Sequence, residues 1–119
     1  MHLHYIVGIM ARKDFLGEFE QVVLLAVLRL NDAAYAVPVR REIETRTRRA
    51  VARGALYVTL ERLEEKGYVE SWLADPTPER GGRAKRYYKV RPAGVTELRQ
   101  SWAALHRMWE GLEPVTRRT

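Results

Sequence analysis

The order in which this chain's patterns occur limits its fold more than any single motif: three stretches of helical periodicity, one strand–loop–strand unit, and a last helix. From Gly17 to Leu30, Phe19, Val22, Val23, Ala26, Val27 and Leu30 recur at helical spacing, and Leu24, Leu25 and Leu28 widen the stripe, so the first helix is expected to be buried on more than one side. Asn31-Asp32 ends it. Pro38 suits the first turn of a second helix running to about Arg48, with Val39 and Ile43 inward. A basic connection from Thr45 to Arg53 leads to a third helix from Gly54 to Lys66, with Leu56, Leu60 and Leu63 inward and Gly67 as its stop. Tyr68 to Ala74 and Lys85 to Arg91 are rich in aromatic and branched residues, and the stretch between them carries Pro76, Pro78, Gly81 and Gly82, which predicts a hairpin with a long loop. Pro92 and Gly94 open the final helix. There Val95, Leu98, Trp102, Leu105, Trp109 and Leu112 step by three and four residues alternately, a narrow seam of the kind a helix uses against a partner helix.

Three helices followed by a hairpin is the sequence order of a winged helix-turn-helix. The expected fold class is therefore mainly α with a small β-hairpin, a winged helix-turn-helix plus a C-terminal dimerisation helix. At 119 residues the chain makes one domain of ordinary size. It is expected to divide into an N-terminal arm (1–14), the winged helix-turn-helix (15–91), the dimerisation helix (92–113) and a flexible tail (114–119). Met10-Ala11-Arg12-Lys13 also makes a plausible translation start, which would leave the first nine residues as an extension.

Charge locates the function. From Arg40 to Arg91 there are 14 Lys or Arg against 8 Asp or Glu, while the remainder has 7 of each, so the whole net charge of +6 falls in the middle of the chain. A basic segment between neutral ones is the footprint of a surface that meets phosphates, or else a solubilising face. The fold favours phosphates, because a third helix of this kind lies in the major groove of duplex DNA while the hairpin loop reaches adjacent phosphates or the minor groove. Arg46, Arg48, Arg49 and Arg53 surround the amino end of the third helix, which itself carries partial positive charge. Ala55, Val58, Thr59 and Arg62 are assigned to the face opposite the leucines, as the residues that meet bases. Thr59 and Ala55 would pack beside a thymine methyl. Arg62 would either fork onto a guanine or pair on the surface with Glu61, Glu65 or Glu44. Tyr57 would either give its hydroxyl to a phosphate or lie half-buried under the hairpin. In the hairpin, Arg80, Arg83, Lys85 and Arg86 are expected to hold phosphates. A winged helix that docks on protein would show an apolar or acidic third helix and a neutral hairpin, and this chain has the opposite at both.

Other functions find little in the residues. No apolar stretch reaches the roughly 18 residues of a membrane span. The short apolar run Leu3 to Met10 lacks the basic region and cleavage site of a secretory signal, so a cytoplasmic protein is expected. The absence of cysteine removes disulfides, thiolate metal sites and thiol catalysis, and fits a reducing compartment. With only Ser71 and Ser101 as serines and only His2, His4 and His106 as histidines, no catalytic triad assembles. His2 and His4 have no further ligand beside them. Gly81-Gly82 sits in a hairpin rather than between a strand and a helix, so it is no phosphate-binding loop. No enzyme activity, cofactor or metal is expected.

Several separate segments together resemble the PadR family, the phenolic acid decarboxylase regulators of bacteria. They are Leu16-Gly17-Glu18-Phe19-Glu20, Gly54-Ala55-Leu56-Tyr57, Leu60-Glu61-Arg62-Leu63, Lys66-Gly67-Tyr68-Val69, Gly81-Gly82-Arg83-Ala84-Lys85-Arg86-Tyr87-Tyr88 and Pro92-Ala93-Gly94. The likeness extends from Leu16 to Leu112 and, with a single short C-terminal helix, is closest to the compact branch of the family. It implies a homodimeric repressor that binds double-stranded DNA, reading an inverted repeat near its own or a neighbouring promoter. It also implies that the last helix pairs with the partner's first helix, which puts Phe19 and Val23 beside Val95, Leu98, Trp102, Leu105, Trp109 and Leu112 in the interface. In that branch a tryptophan of the last helix can stack on flat aromatic molecules, and Trp102 is similar to that position, with Trp109 one heptad on. Either both simply pack the dimer or they form a site for a small aromatic effector. Two departures stand out. Ala52 replaces a serine that often caps the third helix, at about 1 kcal/mol of helix-end stability, and Tyr35-Ala36-Val37-Pro38 replaces the usual tyrosine-glycine start of helix two.

Overall fold

The computed structural model describes residues 15–75, 84–112 and 114. Helix α1, Glu18–Leu30, starts where Glu20 folds back so that its carboxylate accepts the Gly17 N–H, and it buries Val23, Leu24, Ala26 and Val27. Asn31 takes a left-handed φ of 51°, its N–H bonding to the Val27 carbonyl, and a single 3-10 turn, Asn31–Ala33, leads out. Helix α2, Ala36–Thr47, turns Val39 and Ile43 inward and ends on Arg48, whose N–H still bonds the Glu44 carbonyl and whose φ of 59° then turns the chain out of the helix. Helix α3, Arg53–Glu65, starts at Ala52, which offers no side-chain cap, as its methyl group dictates. Gly67, at φ 80°, then turns the chain into the hairpin.

Strands β1, Val69–Ala74, and β2, Lys85–Val90, pair antiparallel with Val69 opposite Val90 and Trp72 opposite Tyr87. Two strands alone would be marginal in water. Here the hairpin is tied to the helices by a bond from the Tyr88 N–H to the Ala34 carbonyl and by an isolated bridge between Tyr35 and Tyr87. Val69, Tyr88 and Val90 point into the core formed by Val23, Leu24, Val27, Val39, Leu56, Leu60 and Leu63. Helix α4, Pro92–Trp109, begins with the proline at its first turn and crosses the base of the hairpin at Gly94. A β-carbon there would stand 2.5 Å from the Tyr68 carbonyl oxygen and 2.9 Å from Val90 Cγ1, so only glycine permits the approach. Gly111, at φ 82°, follows the end of the helix, which stops short of residue 113.

Three expectations fail against this packing. Val23 is 0% exposed and Leu98 only 8%, so both are core residues of their own protomer and cannot form a partner-facing seam. Thr59 is 7% exposed, because it follows Leu56 by three residues and precedes Leu63 by four, which puts it on the leucine face. Phe19 and Val95, assigned to the same seam, are partly buried and packed against the core. The arm at 1–14 and the tail at 115–119 lie outside the described residues, as do Arg80 and Arg83. Among the described residues no helix is long and apolar enough to cross a membrane, and no three His, Cys, Asp or Glu side chains gather as a metal site would need.

Candidate nucleic-acid interface

Helix α3 leaves Ala55, Tyr57, Val58 and Arg62 exposed, opposite its buried stripe. Its start is fixed by α2. Glu44 Oε2 accepts the Val51 N–H at 2.9 Å, and Arg40 Nε donates to the Val51 carbonyl at 2.7 Å, so two side chains one helical turn apart hold both backbone polar groups of one residue in the connection. With no side-chain cap from Ala52, the first-turn N–H groups of α3 keep their partial positive charge unneutralised.

Beside that helix end lies a groove of about 590 Å³ lined by Arg40, Arg41, Arg53, Tyr57 and Lys85, with Glu44 the single acidic side chain among its lining residues. Of the residues singled out in the sequence, Arg53, Tyr57 and Lys85 come together in this groove. Arg40 and Arg41 belong with them and were not singled out in the sequence; their signal was a pair of adjacent arginines at the start of the basic segment, on a helix whose inward residues are Val39 and Ile43. Lys85 is steered by aromatic rings: its Nζ lies 5.3 Å from the Tyr35 ring centroid, Tyr35 packs on Tyr87 at 5.3 Å, and Trp72 stacks on Tyr87 at 6.2 Å.

The other predicted cations have different surroundings. Arg46 pairs with Glu42 one turn earlier on α2. Arg49 reaches across to α1, where Nη1 and Nη2 meet Glu18 Oε1 and Oε2 at 2.7 and 3.3 Å and hold that carboxyl below its ordinary range. Arg48 is the left-handed residue that closes α2. Arg86 leaves the strand on the face opposite Lys85 and donates to Ser71 Oγ at 2.9 Å, while that hydroxyl bonds the Glu64 carboxylate. Among the described residues Arg62 forms no ion pair with Glu61, Glu65 or Glu44; its charge bears on Glu20 of α1. Burial pushes the Glu20 carboxyl up, but hydrogen bonds from Lys66 and the Gly17 N–H, with the charges of Lys66 and Arg62, outweigh it and leave the group below its ordinary range.

A second, apolar surface lies on the far half of α4. Trp102 is 66% exposed and stacks on His106, ring centroids 4.8 Å apart, and Leu105, Trp109 and Leu112 are exposed after it. Next to them is a groove of about 540 Å³ between the start of α1 and α4, lined by Phe15, Leu16, Gln21, Ser101, Ala104, Leu105 and Met108 among others. Met108 was missed because the three-and-four spacing of the seam passes it by, and Phe15, 79% exposed, because it precedes α1 and belongs to no helical pattern.

The model of the transcriptional regulator PadR-like family matches residues 24–100. Among solved structures, a PadR-like transcription factor from Bacteroides fragilis is 22% identical, with 93% of this chain and 98% of that one covered and a TM-score of 0.67. A PadR family transcriptional regulator from Eggerthella lenta is 19% identical over 99% of this chain and 96% of that one, with a TM-score of 0.63. A transcriptional regulator from Clostridium thermocellum is 20% identical over 80% and 89%, with a TM-score of 0.65. At these identities the structures speak for the fold alone. No curated protein sequence matches the chain. With a family model covering more than half its length and a winged-helix architecture throughout, the chain belongs to the PadR-like family of DNA-binding transcriptional regulators and is not an enzyme.

Proposed function

We propose that this protein is a homodimeric repressor whose two α3 helices enter successive major grooves, roughly 34 Å apart, and read an inverted repeat near its own or a neighbouring promoter. The observation that carries the reading is the groove of Arg40, Arg41, Arg53, Tyr57 and Lys85 beside the outward face of α3. Four cations and a phenol next to an uncapped helix start suit the phosphates that flank a major groove. Ala55, Val58 and Arg62 are then the residues that meet base edges, and Thr59, buried, is not one of them. Arg48 and the hairpin cations add phosphate contacts, while Arg46 and Arg49 must exchange a carboxylate for a phosphate to take part.

The dimer reading is supported by the apolar half of α4, where Trp102, Leu105, Met108 and Trp109 are exposed together, with Leu112 exposed just past the helix end. Bound at a promoter, the dimer blocks polymerase. A flat aromatic effector stacking on Trp102 or Trp109 would shift the spacing of the two α3 helices and release the DNA, by no more than its preference for one spacing over the other.

The test is fluorescence anisotropy of a labelled duplex from the gene's own upstream region, against a scrambled duplex, over a series of salt concentrations. A preference of about a hundredfold, with affinity falling steeply as salt rises, is expected. Equal, weak binding to both duplexes contradicts an operator in that region.

A further inference from the structure

The first turn of α1 lies between the apolar groove and the two ends of the α3 segment. On one side Leu16 and Gln21 wall the apolar groove against α4. Gln21 Nε2 donates to the Leu16 carbonyl at 3.0 Å and its backbone N–H bonds the Gly17 carbonyl at 3.1 Å, so hydrogen bonds join the turn to the groove wall. On the other side its glutamates reach the α3 unit. The Glu18–Arg49 pair is exposed at both ends, so solvent screens it and it transmits little. Glu20 differs. Its side chain is 12% exposed, and its two oxygens are divided between two elements: Oε1 accepts the Gly17 N–H at 3.0 Å and Oε2 accepts from Lys66 Nζ at 2.8 Å. Lys66 is the residue that caps α3, its own N–H bonded to the Arg62 carbonyl, so its ammonium is tied to the end of that helix.

We propose that Glu20 is a positioning residue for DNA binding, one carboxylate that makes the end of α3 follow the turn of α1 walling the apolar groove, so that what fills the groove is felt at α3. The inference rests on α3 being the DNA-reading helix. A hydrogen-bonded link from the turn that walls the groove to the end of α3 is a physical route for coupling, and such couplings change affinity by a few-fold to tens of fold.

The experiment uses the full-length protein with Glu20→Gln, which keeps an acceptor for the Gly17 N–H and removes the charge that holds Lys66, and Lys66→Met, which keeps most of the stem. Hydrogen exchange of the free protein is read at the α3 end, Leu63 to Gly67, with the hairpin strands as internal control. Either variant is expected to speed exchange there several-fold, the double variant no further. Filling the groove with Ala104→Phe is expected to alter exchange at Lys66 and Gly67 in the wild-type background and not in Glu20→Gln. DNA affinity gives the opposing sign. Removing a negative charge should by itself tighten binding to both duplexes alike, whereas loss of positioning weakens the native duplex and lowers the preference for native over scrambled DNA by about fivefold. Unchanged exchange at the α3 end, or tighter binding to both duplexes, overturns the proposal. A wild-type protein with no duplex preference overturns the function proposed above instead, and the exchange measurements still decide whether Glu20 joins the two surfaces.

Discussion

The two halves of α4 have the same periodic apolar pattern and opposite surroundings. From Gly94 to Ser101 the helix lies on its own protomer, with Gly94, Leu98 and Ser101 buried. From Trp102 onward the same three-and-four spacing continues while Trp102, Leu105, Trp109 and Leu112 stand exposed. One stripe thus does two jobs, because α4 crosses the base of the hairpin at its start and then runs past the end of the domain. An apolar seam read along a sequence states that something covers it; where the helix leaves its own domain decides whether the cover comes from inside the chain or outside.

The largest expected effects test that division. Leu98→Ala should destabilise the protein by about 2–5 kcal/mol, the ordinary cost of truncating a buried leucine, and Gly94→Val should do at least as much, since the added atoms would meet the Tyr68 backbone and Val90. Denaturant unfolding over a range of protein concentrations reads both, and the loss should be the same at every concentration. Trp102→Ala combined with Leu105→Ala should behave differently, weakening self-association by about a hundredfold in sedimentation while the diluted chain unfolds within about 0.5 kcal/mol of wild type. A stability loss from Trp102→Ala and Leu105→Ala that persists on dilution would erase the distinction between the two halves.

A similar division runs through the cations. Arg41 and Arg53 line the groove beside α3 without a carboxylate on them in this structure, among the described residues, whereas Arg46 and Arg49 already hold Glu42 and Glu18. Arg53→Ala and Arg41→Ala should each weaken binding to native and scrambled duplexes alike by about three- to tenfold and lower the salt slope by about one. Arg46→Ala and Arg49→Ala should cost less, because each must first give up its carboxylate. Anisotropy with the four variants at several salt concentrations sorts them; equal losses would show that the intramolecular pairs open freely on DNA.

The helices and the hairpin were legible in the residues because each is marked locally. Pro92 opens α4, Gly67 takes the positive φ that ends the α3 segment, and Ala52 stands uncapped where a serine was missed. Thr59 was legible too and was misassigned: a polar side chain suggests the surface, but its spacing from Leu56 and Leu63 fixes it inside. Val23 and Leu98 show another limit. Periodicity says that a residue is covered and is silent on which chain covers it. The long-range surroundings of the cations were not legible, since Arg49 and Glu18 lie 31 residues apart in sequence and Lys66 and Glu20 lie 46 apart, and only the packing of α1 against the α3 segment and the connection before it brings them together. Arg83, Lys85 and Arg86 looked like one cluster by proximity, yet alternation along β2 sends Lys85 toward the groove and Arg86 toward Ser71.

The smallest effect separates the largely covered carboxylate of that first turn from the exposed one. Burial raises Glu20, but the Lys66 and Gly17 hydrogen bonds and the charges of Lys66 and Arg62 prevail, so its folded-state pKa lies below the ordinary 4.5. A carboxyl with a depressed folded pKa contributes stability above its ordinary value and loses that contribution as pH falls through the folded value. Wild type and Glu20→Gln should therefore differ most at neutral pH, by no more than about 1 kcal/mol, and converge as the solution is acidified below 4.5. Denaturant unfolding at pH steps from neutral into the acid range would show this. Glu18→Gln should leave the unfolding curve nearly unmoved at every pH, because both ends of its pair with Arg49 stand in solvent. Should Glu18→Gln shift with pH as much as Glu20→Gln, the two carboxylates would be equivalent surface charges, and burial would not be what distinguishes the one that holds α3.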